Sequence, residues 1–258
     1  MKRITIKVGT NILTTQDGKL DVNQVSSIAS QISAIRASHN VEVVLVSSGS
    51  ITCGSERLHI EATTIPEKQA SAAVGQFLLM KEYDTYFSQH DTQVAQILLT
   101  QDGLEDAERR QNVHNTLSTL LSQGVAPVIN ENDSVSTAEI EFGDNDSLSS
   151  QVAELTQSDL FIILTDTDGL FDKNPKKYSD ATLVEHVPVI TDVIIKMTDA
   201  ETGGRSKGGM LSKVKAASRA TEAGIKTVIA NGRTPNIIRD ILSGTYRGTR
   251  FDAKEKRT

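Results

Sequence analysis

The segment INENDSVSTAEIEFGDND, residues 129–146, is the stretch whose residue types most directly suggest chemistry. It contains no basic residue and six carboxylates: Glu131, Asp133, Glu139, Glu141, Asp144 and Asp146. Like charges at close range repel, so this arrangement is costly unless cations or ammonium groups meet it. The pattern allows a metal site, a site for a substrate that carries an ammonium group, or a solvated acidic loop.

A calcium-binding loop does not fit this segment. When Asn130 is counted as position 1, Glu141 falls at position 12, but position 6 is Val135, where such a loop needs glycine. The five histidines have no ligand spacing, and Cys53 is the single cysteine, which excludes a disulfide framework and a cysteine-based metal site. We therefore assign no metal ligands from the sequence.

Two lysines, distant in sequence, lie near glycines. Lys7 precedes Gly9 and Thr10 at the end of an apolar run, and a lysine in a buried strand is costly unless its ammonium group meets an anion. Lys213 closes the stretch GGRSKGGMLSK, in which glycines lead into a predicted helix, as in phosphate-binding loops. For Lys7, the alternative is that it simply pairs with one of the acids. For the glycine stretch, the alternative is a mobile surface loop. The chain contains neither a P-loop motif nor GxGxxG after a strand.

Short apolar runs alternate with longer helical patterns. Six runs are predicted strands: RITIKV, VEVVLVS, TQVAQILL, VAPVIN, LFIILTD and IKTVIAN. Helices are predicted after a capping box of Asp21 and Gln24, from Pro66, and from Met210 to a stop at Gly224. The predicted fold class is α/β, a three-layer αβα sandwich with a central mainly parallel sheet, whose ligands bind beyond the carboxyl ends of the strands.

Composition limits the class of protein. The 258 residues carry 27 lysines and arginines against 33 aspartates and glutamates, and the net charge of -6 argues against a surface that coats nucleic acid. The N-terminus lacks the apolar core of a signal peptide, and no apolar run reaches the roughly 20 residues of a membrane span. No linker or repeat divides the chain. We expect a cytoplasmic protein with a single domain over residues 1–258 that binds no nucleic acid and no membrane.

Several stretches resemble, in order and spacing, the amino acid kinase superfamily and, within it, the glutamate 5-kinases. They are KVGTNILT, VLVSSGSITCG, QASAAVGQ, VINENDSVSTAEIEFGDND, LTDTDGLF, GGMLSK with KVKAA, and IANGR. VINEND followed by GDND is the most specific part. The resemblance implies the amino acid kinase fold and an enzyme that uses ATP and Mg²⁺ to phosphorylate the γ-carboxylate of L-glutamate for proline synthesis. A carboxylate is already an anion at neutral pH, so it needs no general base, which fits the lack of a candidate catalytic histidine.

The family pattern also implies roles for particular residues. Charge on the transferring phosphoryl group would be stabilised by Lys7 and Lys213, with both ammonium groups held by Asp146. Glutamate would be bound by Ser48, Gly49, Asp133 and Asn145, and Asp133 would contact its α-ammonium group. Asp144 would hold these residues in position. The nucleotide would be bound by Lys7, Gly9, Thr165, Asp166, Lys207, Gly208, Gly209, Met210, Leu211, Ser212 and Lys213. Glu139 and Glu141 would be ordinary solvated residues, and magnesium would be held mainly by phosphates and water.

The chain also departs from the family pattern. Ser50, Thr52 and Cys53 stand where relatives commonly have alanines, and Lys207 stands where a small hydroxyl residue is usual. Many bacterial relatives carry a C-terminal PUA domain, which we expect to be missing here. The alternative functions are a kinase of the same fold for acetylglutamate, carbamate, aspartate or UMP, and a catalytically silent sensor. Proline is an expected feedback inhibitor, and the helix from Ser71 to Phe87 could supply a face for a homo-oligomer, a dimer or tetramer.

Overall fold

The computed structural model describes residues 1–136, 145–202 and 209–255. Over these ranges the chain forms eight strands: β1 (Arg3–Val8), β2 (Glu42–Ser47), β3 (Val94–Leu99), β4 (Ala126–Glu131), β5 (Leu160–Thr165), β6 (His186–Val187), β7 (Lys226–Asn231) and β8 (Gly248–Phe251). The helices of the same ranges are α1 (Thr10–Leu13), α2 (Val22–His39), α3 (Ser50–Leu58), α4 (Ile65–Ser88), α5 (Ala107–Ser122), α6 (Asn145–Leu155), α7 (Asp192–Thr202), α8 (Met210–Glu222) and α9 (Ile237–Ser243).

The eight described strands lie in one sheet in the order β3-β4-β2-β1-β5-β7-β8-β6. All neighbours from β3 to β7 are parallel, β8 runs antiparallel to β7, and β6 pairs in parallel with β8. The carboxyl ends of β1, β2, β4, β5 and β7 therefore share one edge of the sheet. This mainly parallel sheet, covered by helices, confirms the predicted αβα sandwich. All six predicted strands are present, whereas β6 and β8 were not predicted.

Side chains alternate between the two faces of each strand. On one face, Ile6 and Val8 of β1 join a core with α2, α4 and α9. On the other face, Val46 of β2 packs with α5 and α6, and Ile163 of β5 packs with α8. Lys7 stands between Ile6 and Val8 and pairs with Val46 and Ile163 in the sheet, so it shares their face. The period of the strand therefore directs this lysine toward α6 and α8.

The start of α2 confirms half of the predicted capping box. The Asp21 carboxylate accepts a hydrogen bond from the Gln24 backbone N–H at 3.1 Å, as an N-cap does. The reciprocal half was wrong: Gln24 Nε2 donates instead to the Gly232 carbonyl oxygen at 2.6 Å, and the Asp21 N–H donates to the Leu13 carbonyl. The glutamine thus connects α2 to the segment that follows β7.

The other two predicted helix starts agree with the structure within two residues. In α4 a complete capping box of Thr64 and Glu67 encloses the predicted start at Pro66. Helix α8 begins at Met210, and Gly224, just beyond its end, has φ of 82°, a left-handed conformation that favours glycine.

Helices α3 and α4 touch backbone to backbone. A Cβ atom added at Gly54 would lie 1.7 Å from the Ser71 carbonyl oxygen, and one at Gly75 would lie 1.8 Å from the Ser50 carbonyl oxygen. A larger residue at either position would force the two helices apart. The contact places the first residue of α3, at the exit of β2, against the middle of α4.

The buried side chains of α4, which include Leu79, Tyr83 and Phe87, pack into the core of the chain itself. Phe77 is 70% exposed on the same helix. The homo-oligomer expected from this helix stays a prediction. Of the helices that the structure describes, none combines the length and apolar character of a membrane span.

Candidate active site

Lys7, Asp146 and Lys213 meet at the carboxyl edge of the sheet. The Lys7 ammonium lies 2.6 Å from Asp146 Oδ1, and the Lys213 ammonium lies 3.1 Å from Asp146 Oδ2. The side chains are 5% exposed for Lys7, 0% for Asp146 and 9% for Lys213. Ser212 Oγ also donates to Asp146 Oδ2, at 2.7 Å. Burying two cations is costly unless an anion balances them, and one aspartate contacts both.

Three different elements supply this cluster. Lys7 stands near the end of β1, Asp146 in the first turn of α6, and Lys213 in the first turn of α8. A carboxylate near a helix N-terminus is stabilised by the helix dipole, so α6 favours the charged form of Asp146. The sequence predicted that these residues converge, and the structure brings all three together.

Gly9, one of the residues predicted to bind nucleotide, directly follows β1. The Gly9 N–H donates to the Leu164 carbonyl oxygen at 3.2 Å, so this donor is used within the sheet. A Cβ at Gly9 would lie 3.7 Å from the Lys7 ammonium nitrogen. Glycine at this position therefore keeps the approach to the ammonium group of Lys7 open.

A cavity of about 540 Å³ lies where β1, β5 and β7 end. Its lining includes Asn11, Asp166 and Arg233. Asp166 Oδ2 accepts from Asn11 Nδ2 at 3.2 Å, and Thr165 Oγ1 donates to Asp166 Oδ1 at 3.3 Å. Two of the residues predicted to bind nucleotide, Thr165 and Asp166, thus lie at or beside this cavity.

Arg233 fixes the wall of the same cavity. Its guanidinium group forms an ion pair with Asp21 at 3.2 Å and donates to the carbonyl oxygens of Asn11 and Thr14, at 2.9 and 2.6 Å. Arginine suits this position because its planar group can donate in several directions at once. One side chain after β7 thereby holds both ends of α1, which follows β1.

Asn145 lies at the centre of a buried amide network. Its Nδ2 atom donates to the Ser47 carbonyl oxygen at 3.0 Å, to Ser48 Oγ at 2.9 Å and to Asn130 Oδ1 at 2.8 Å. Asn130 Nδ2 then donates to Gln76 Oε1 at 2.8 Å. The network joins the exits of β2 and β4 to α4. It brings together two of the residues predicted to bind substrate, Ser48 and Asn145.

Asp133 and Glu131 lie beside a second cavity, of about 280 Å³, which is also lined by Ser50 and Gln76. Both acids are buried, and Ser50 Oγ donates to Asp133 Oδ2 at 3.3 Å. Burial and the nearby charge of Glu131 raise the pKa of Asp133 to about 7. Burial also raises the pKa of Glu131. A ligand that brings a positive charge into this cavity would therefore stabilise the charged forms of the two acids.

The remaining predicted residues divide into two groups. Gly49 adopts a left-handed conformation with φ of 101° and precedes α3, while Gly209 precedes α8, whose first residues include Met210, Leu211 and Ser212. Asp144, Lys207 and Gly208 lie outside the described residues, as do Glu139 and Glu141.

Sequence reasoning missed Asn130 and Gln76. Asn130 interrupts the apolar run of β4, and a polar residue in a strand buried along its whole length needs a partner, which was the available signal. Gln76 carried no comparable signal, because its partner lies 54 residues away. Within the described residues, no group of three or more His, Cys, Asp and Glu side chains is arranged to hold a metal ion.

Solved structures share this fold. Carbamate kinase from Giardia lamblia bound to AMP-PNP superimposes with a TM-score of 0.70 at 18% identity, over 97% of this chain and 98% of that one. UMP kinase from Ureaplasma parvum has a TM-score of 0.64 at 17% identity, over 97% of this chain and 98% of that one. The sheet and its helices are therefore those of a kinase fold that carries different substrate specificities.

Sequence comparison narrows the class. The profile of the "Amino acid kinase family" matches residues 2–231. A glutamate 5-kinase from Marinomonas sp. (strain MWYL1) is 46% identical over 250 residues, which cover 96% of this chain and 67% of the relative. A glutamate 5-kinase from Clostridium perfringens is 44% identical over 260 residues, which cover 98% of this chain and 96% of the relative. The chain belongs to the amino acid kinase family and, within it, to the glutamate 5-kinases.

Proposed function

We propose that this protein catalyses the ATP-dependent phosphorylation of the γ-carboxylate of L-glutamate, the first step of proline biosynthesis. The glutamate 5-kinase relatives at 46% and 44% identity support this reaction. The observation that carries the proposal is the contact of Lys7 and Lys213 with the two oxygens of Asp146 at the ligand-binding edge of the sheet.

The positions of the two cavities support a transfer between two ligands. Strand β1, which carries Lys7, has β2 and β4 on one side and β5 and β7 on the other. The cavity with Ser50 and Asp133 belongs to the β2 and β4 side, and the cavity with Asp166 and Arg233 belongs to the β5 and β7 side. Glutamate in the first cavity and nucleotide in the second would direct their reacting groups toward Lys7.

The chemistry requires positive charge and no base. A γ-carboxylate oxygen of glutamate forms a bond to the terminal phosphorus of ATP, and the bond from that phosphorus to the bridging oxygen breaks. The bridging oxygen leaves with ADP and keeps the electron pair, and no proton moves. Lys7 and Lys213 would neutralise the charge that gathers around the phosphorus, and Asp146, held by Ser212, would keep both ammonium groups in place.

Substrate recognition would depend on the acids beside the smaller cavity. Asp133 would accept hydrogen bonds from the α-ammonium group of glutamate, and Asn145 would hold the exit of β2 through Ser48. A free ammonium group satisfies a buried carboxylate, whereas an acetylated amine does not. This feature favours L-glutamate over N-acetylglutamate.

ATP and Mg²⁺ are part of the proposal. The Giardia carbamate kinase of the same fold is bound to AMP-PNP, which supports an adenine nucleotide as donor. The buried ammonium groups of Lys7 and Lys213 fit a phosphate chain, because they supply positive charge at the sheet edge. Mg²⁺ would lower the negative charge of the triphosphate and would be held mainly by phosphate oxygens and water. Inhibition by proline, a homo-oligomer, a cytoplasmic location and a single domain over residues 1–258 are further expectations that stay predictions.

A substrate panel tests the proposal. ADP release by the purified protein is measured with L-glutamate, N-acetylglutamate and UMP, each with ATP and Mg²⁺. We expect turnover with L-glutamate and background rates with the other two. Turnover restricted to N-acetylglutamate or UMP would overturn the proposal in favour of another kinase of the same fold.

A further inference from the structure

In the part of the chain that the structure describes, the buried Nε2 donor of Gln76, on α4, has no hydrogen-bond acceptor. Gln76 as a whole is 7% exposed. A buried amide donor that stays unpaired costs free energy, so such a group in a native fold calls for an explanation. Gln76 also lines the cavity of about 280 Å³ beside Asp133.

The surrounding network fixes which end of the Gln76 amide is unpaired. Asn130 Oδ1 accepts from the Glu131 backbone N–H at 2.9 Å and from Asn145 Nδ2 at 2.8 Å, so the other end of the Asn130 amide is its donor. That donor faces Gln76 at 2.8 Å, and the Gln76 atom that accepts from it must be the oxygen. The Nε2 atom of Gln76 therefore remains available to a ligand that accepts hydrogen bonds.

The position of Gln76 is rigid. The neighbouring Gly75 packs against the Ser50 carbonyl oxygen, which a Cβ atom added at Gly75 would approach to 1.8 Å. This contact holds α4 beside the first turn of α3. Ser50 in turn donates to Asp133. The cavity is thus lined by an amide donor on α4 and by two acids at and after the end of β4, Glu131 and Asp133. An α-amino acid has a carboxylate and an ammonium group on one carbon. A site that binds it therefore needs a hydrogen-bond donor for the carboxylate and an acceptor for the ammonium group within one cavity.

We propose that Gln76 Nε2 donates a hydrogen bond to the α-carboxylate of the amino-acid substrate and so determines specificity for an α-amino acid over an amine that lacks this group. The inference rests on the proposed function, because it takes L-glutamate as the substrate. The γ-carboxylate of glutamate then extends toward Lys7, and the α-carbon stays between Gln76 and Asp133.

Two variants of Gln76 test the proposal. Gln76→Ala removes the donor, and we expect the KM for L-glutamate to rise about 10-fold or more, the effect of losing a hydrogen bond to a charged group. Gln76→Glu keeps the oxygen that accepts from Asn130 but places a negative oxygen where Nε2 was, so we expect a larger rise, about 100-fold. For both variants, kcat and the KM for ATP should stay within about threefold of the wild type.

Gln89→Ala is the matched control. Gln89 directly follows the last residue of α4, is exposed, and lines neither of the two cavities. We expect its kinetic constants to stay within about twofold of the wild type, because an exposed side chain loses little on truncation.

A substrate comparison separates recognition of the α-carboxylate from a structural role. 4-Aminobutyrate has the amine and the reacting carboxylate of glutamate but no α-carboxylate, and its inhibition constant against L-glutamate is measured for each variant. We expect that constant to change less than about threefold in Gln76→Ala, so that the preference for glutamate over 4-aminobutyrate falls by at least about threefold.

The outcomes are distinguishable. An unchanged KM for L-glutamate in both Gln76 variants, or an equal loss of glutamate and 4-aminobutyrate binding, would overturn the role of Gln76 and leave the proposed function intact. A wild-type protein that does not phosphorylate L-glutamate would overturn the proposed function itself.

Discussion

The ammonium group of Lys7 lies 2.6 Å from Oδ1 of Asp146, and neither side chain is more than 5% exposed. A pair this deeply buried contributes little net stability, since the cost of removing both charges from water offsets their attraction. Such a pair is retained where its charges have another use. The ammonium group lies at the sheet edge where ligands bind, and the use that we propose for it is to bind a phosphoryl group and stabilise its transfer.

The substitution Asp146→Asn tests this interpretation. Asparagine has nearly the same shape but cannot balance two buried ammonium groups, so we expect the free energy of unfolding without ligands to fall by about 3 kcal/mol. We also expect kcat to fall by about 100-fold or more, because the lysines lose their common anchor. Urea denaturation and steady-state kinetics measure the two effects. Asp84→Asn removes an exposed carboxylate of α4 and should change neither; a kcat within threefold of the wild type in Asp146→Asn would contradict the anchoring role of Asp146.

Lys213→Ala should lower kcat by about 100-fold or more while L-glutamate still binds, because in the proposed reaction the ammonium group acts on the transferring phosphoryl group. Lys215, two residues further along α8, is exposed and offers a control in which Lys215→Ala retains full activity. Glutamate binding is measured by calorimetry and kcat by ADP release. Near-normal turnover in Lys213→Ala would rule out its role in charge stabilisation.

Asp133→Ala should raise the KM for L-glutamate far more than the KM for ATP. Asp133 lines the cavity on the β2 and β4 side, where the ammonium group of glutamate would be bound. Loss of a charge-assisted contact predicts a rise of about 10- to 100-fold for glutamate alone. Separate titrations of the two substrates measure the effect, and equal rises in both KM values would assign Asp133 to the nucleotide.

The raised pKa of Asp133 makes the stability of the ligand-free protein depend on pH. The folded protein holds this proton up to a pKa of about 7, whereas the ordinary value is 3.8, so folding binds a proton between these limits. Asp133 therefore lowers the stability of the wild type as pH rises from about 4 to 7, whereas in Asp133→Asn this contribution is absent and only that of Glu131 remains. Relative to the wild type, Asp133→Asn should gain about 1 to 3 kcal/mol between pH 4 and pH 8, measured by urea denaturation. A constant difference across this range would contradict the burial of a charged Asp133.

The sheet was predictable because its central strands have local signals. Runs such as LFIILT are apolar along their length, and they form β5 and its neighbours. β8 is four residues long and β6 only two, and both depend on pairing partners elsewhere in the chain, so no local pattern marks them.

In the candidate site, too, some contacts could be predicted from the sequence and others could not. Convergence of Lys7 and Lys213 was implied by the family resemblance, and it agrees with the predicted sheet, because parallel strands end and the helices that follow them begin at one edge. The side chain of Gln24, in contrast, bonds to Gly232, 208 residues away, rather than to the neighbouring Asp21. Gln76 and Asn130 are 54 residues apart, and a residue pattern along the chain carries no information about which partners such side chains find.

The most direct test of the proposed reaction is to identify the phosphorylated product. Acyl phosphates react with hydroxylamine to give hydroxamates, so the purified protein is incubated with ATP, Mg²⁺, L-glutamate and hydroxylamine, and the products are identified by mass spectrometry. We predict γ-glutamyl hydroxamate in an amount equal to the ADP released, and about 100-fold less or lower in Lys213→Ala over the same time. ADP release without γ-glutamyl hydroxamate, or hydroxamate formed from N-acetylglutamate and not from glutamate, would contradict phosphoryl transfer to the γ-carboxylate of L-glutamate.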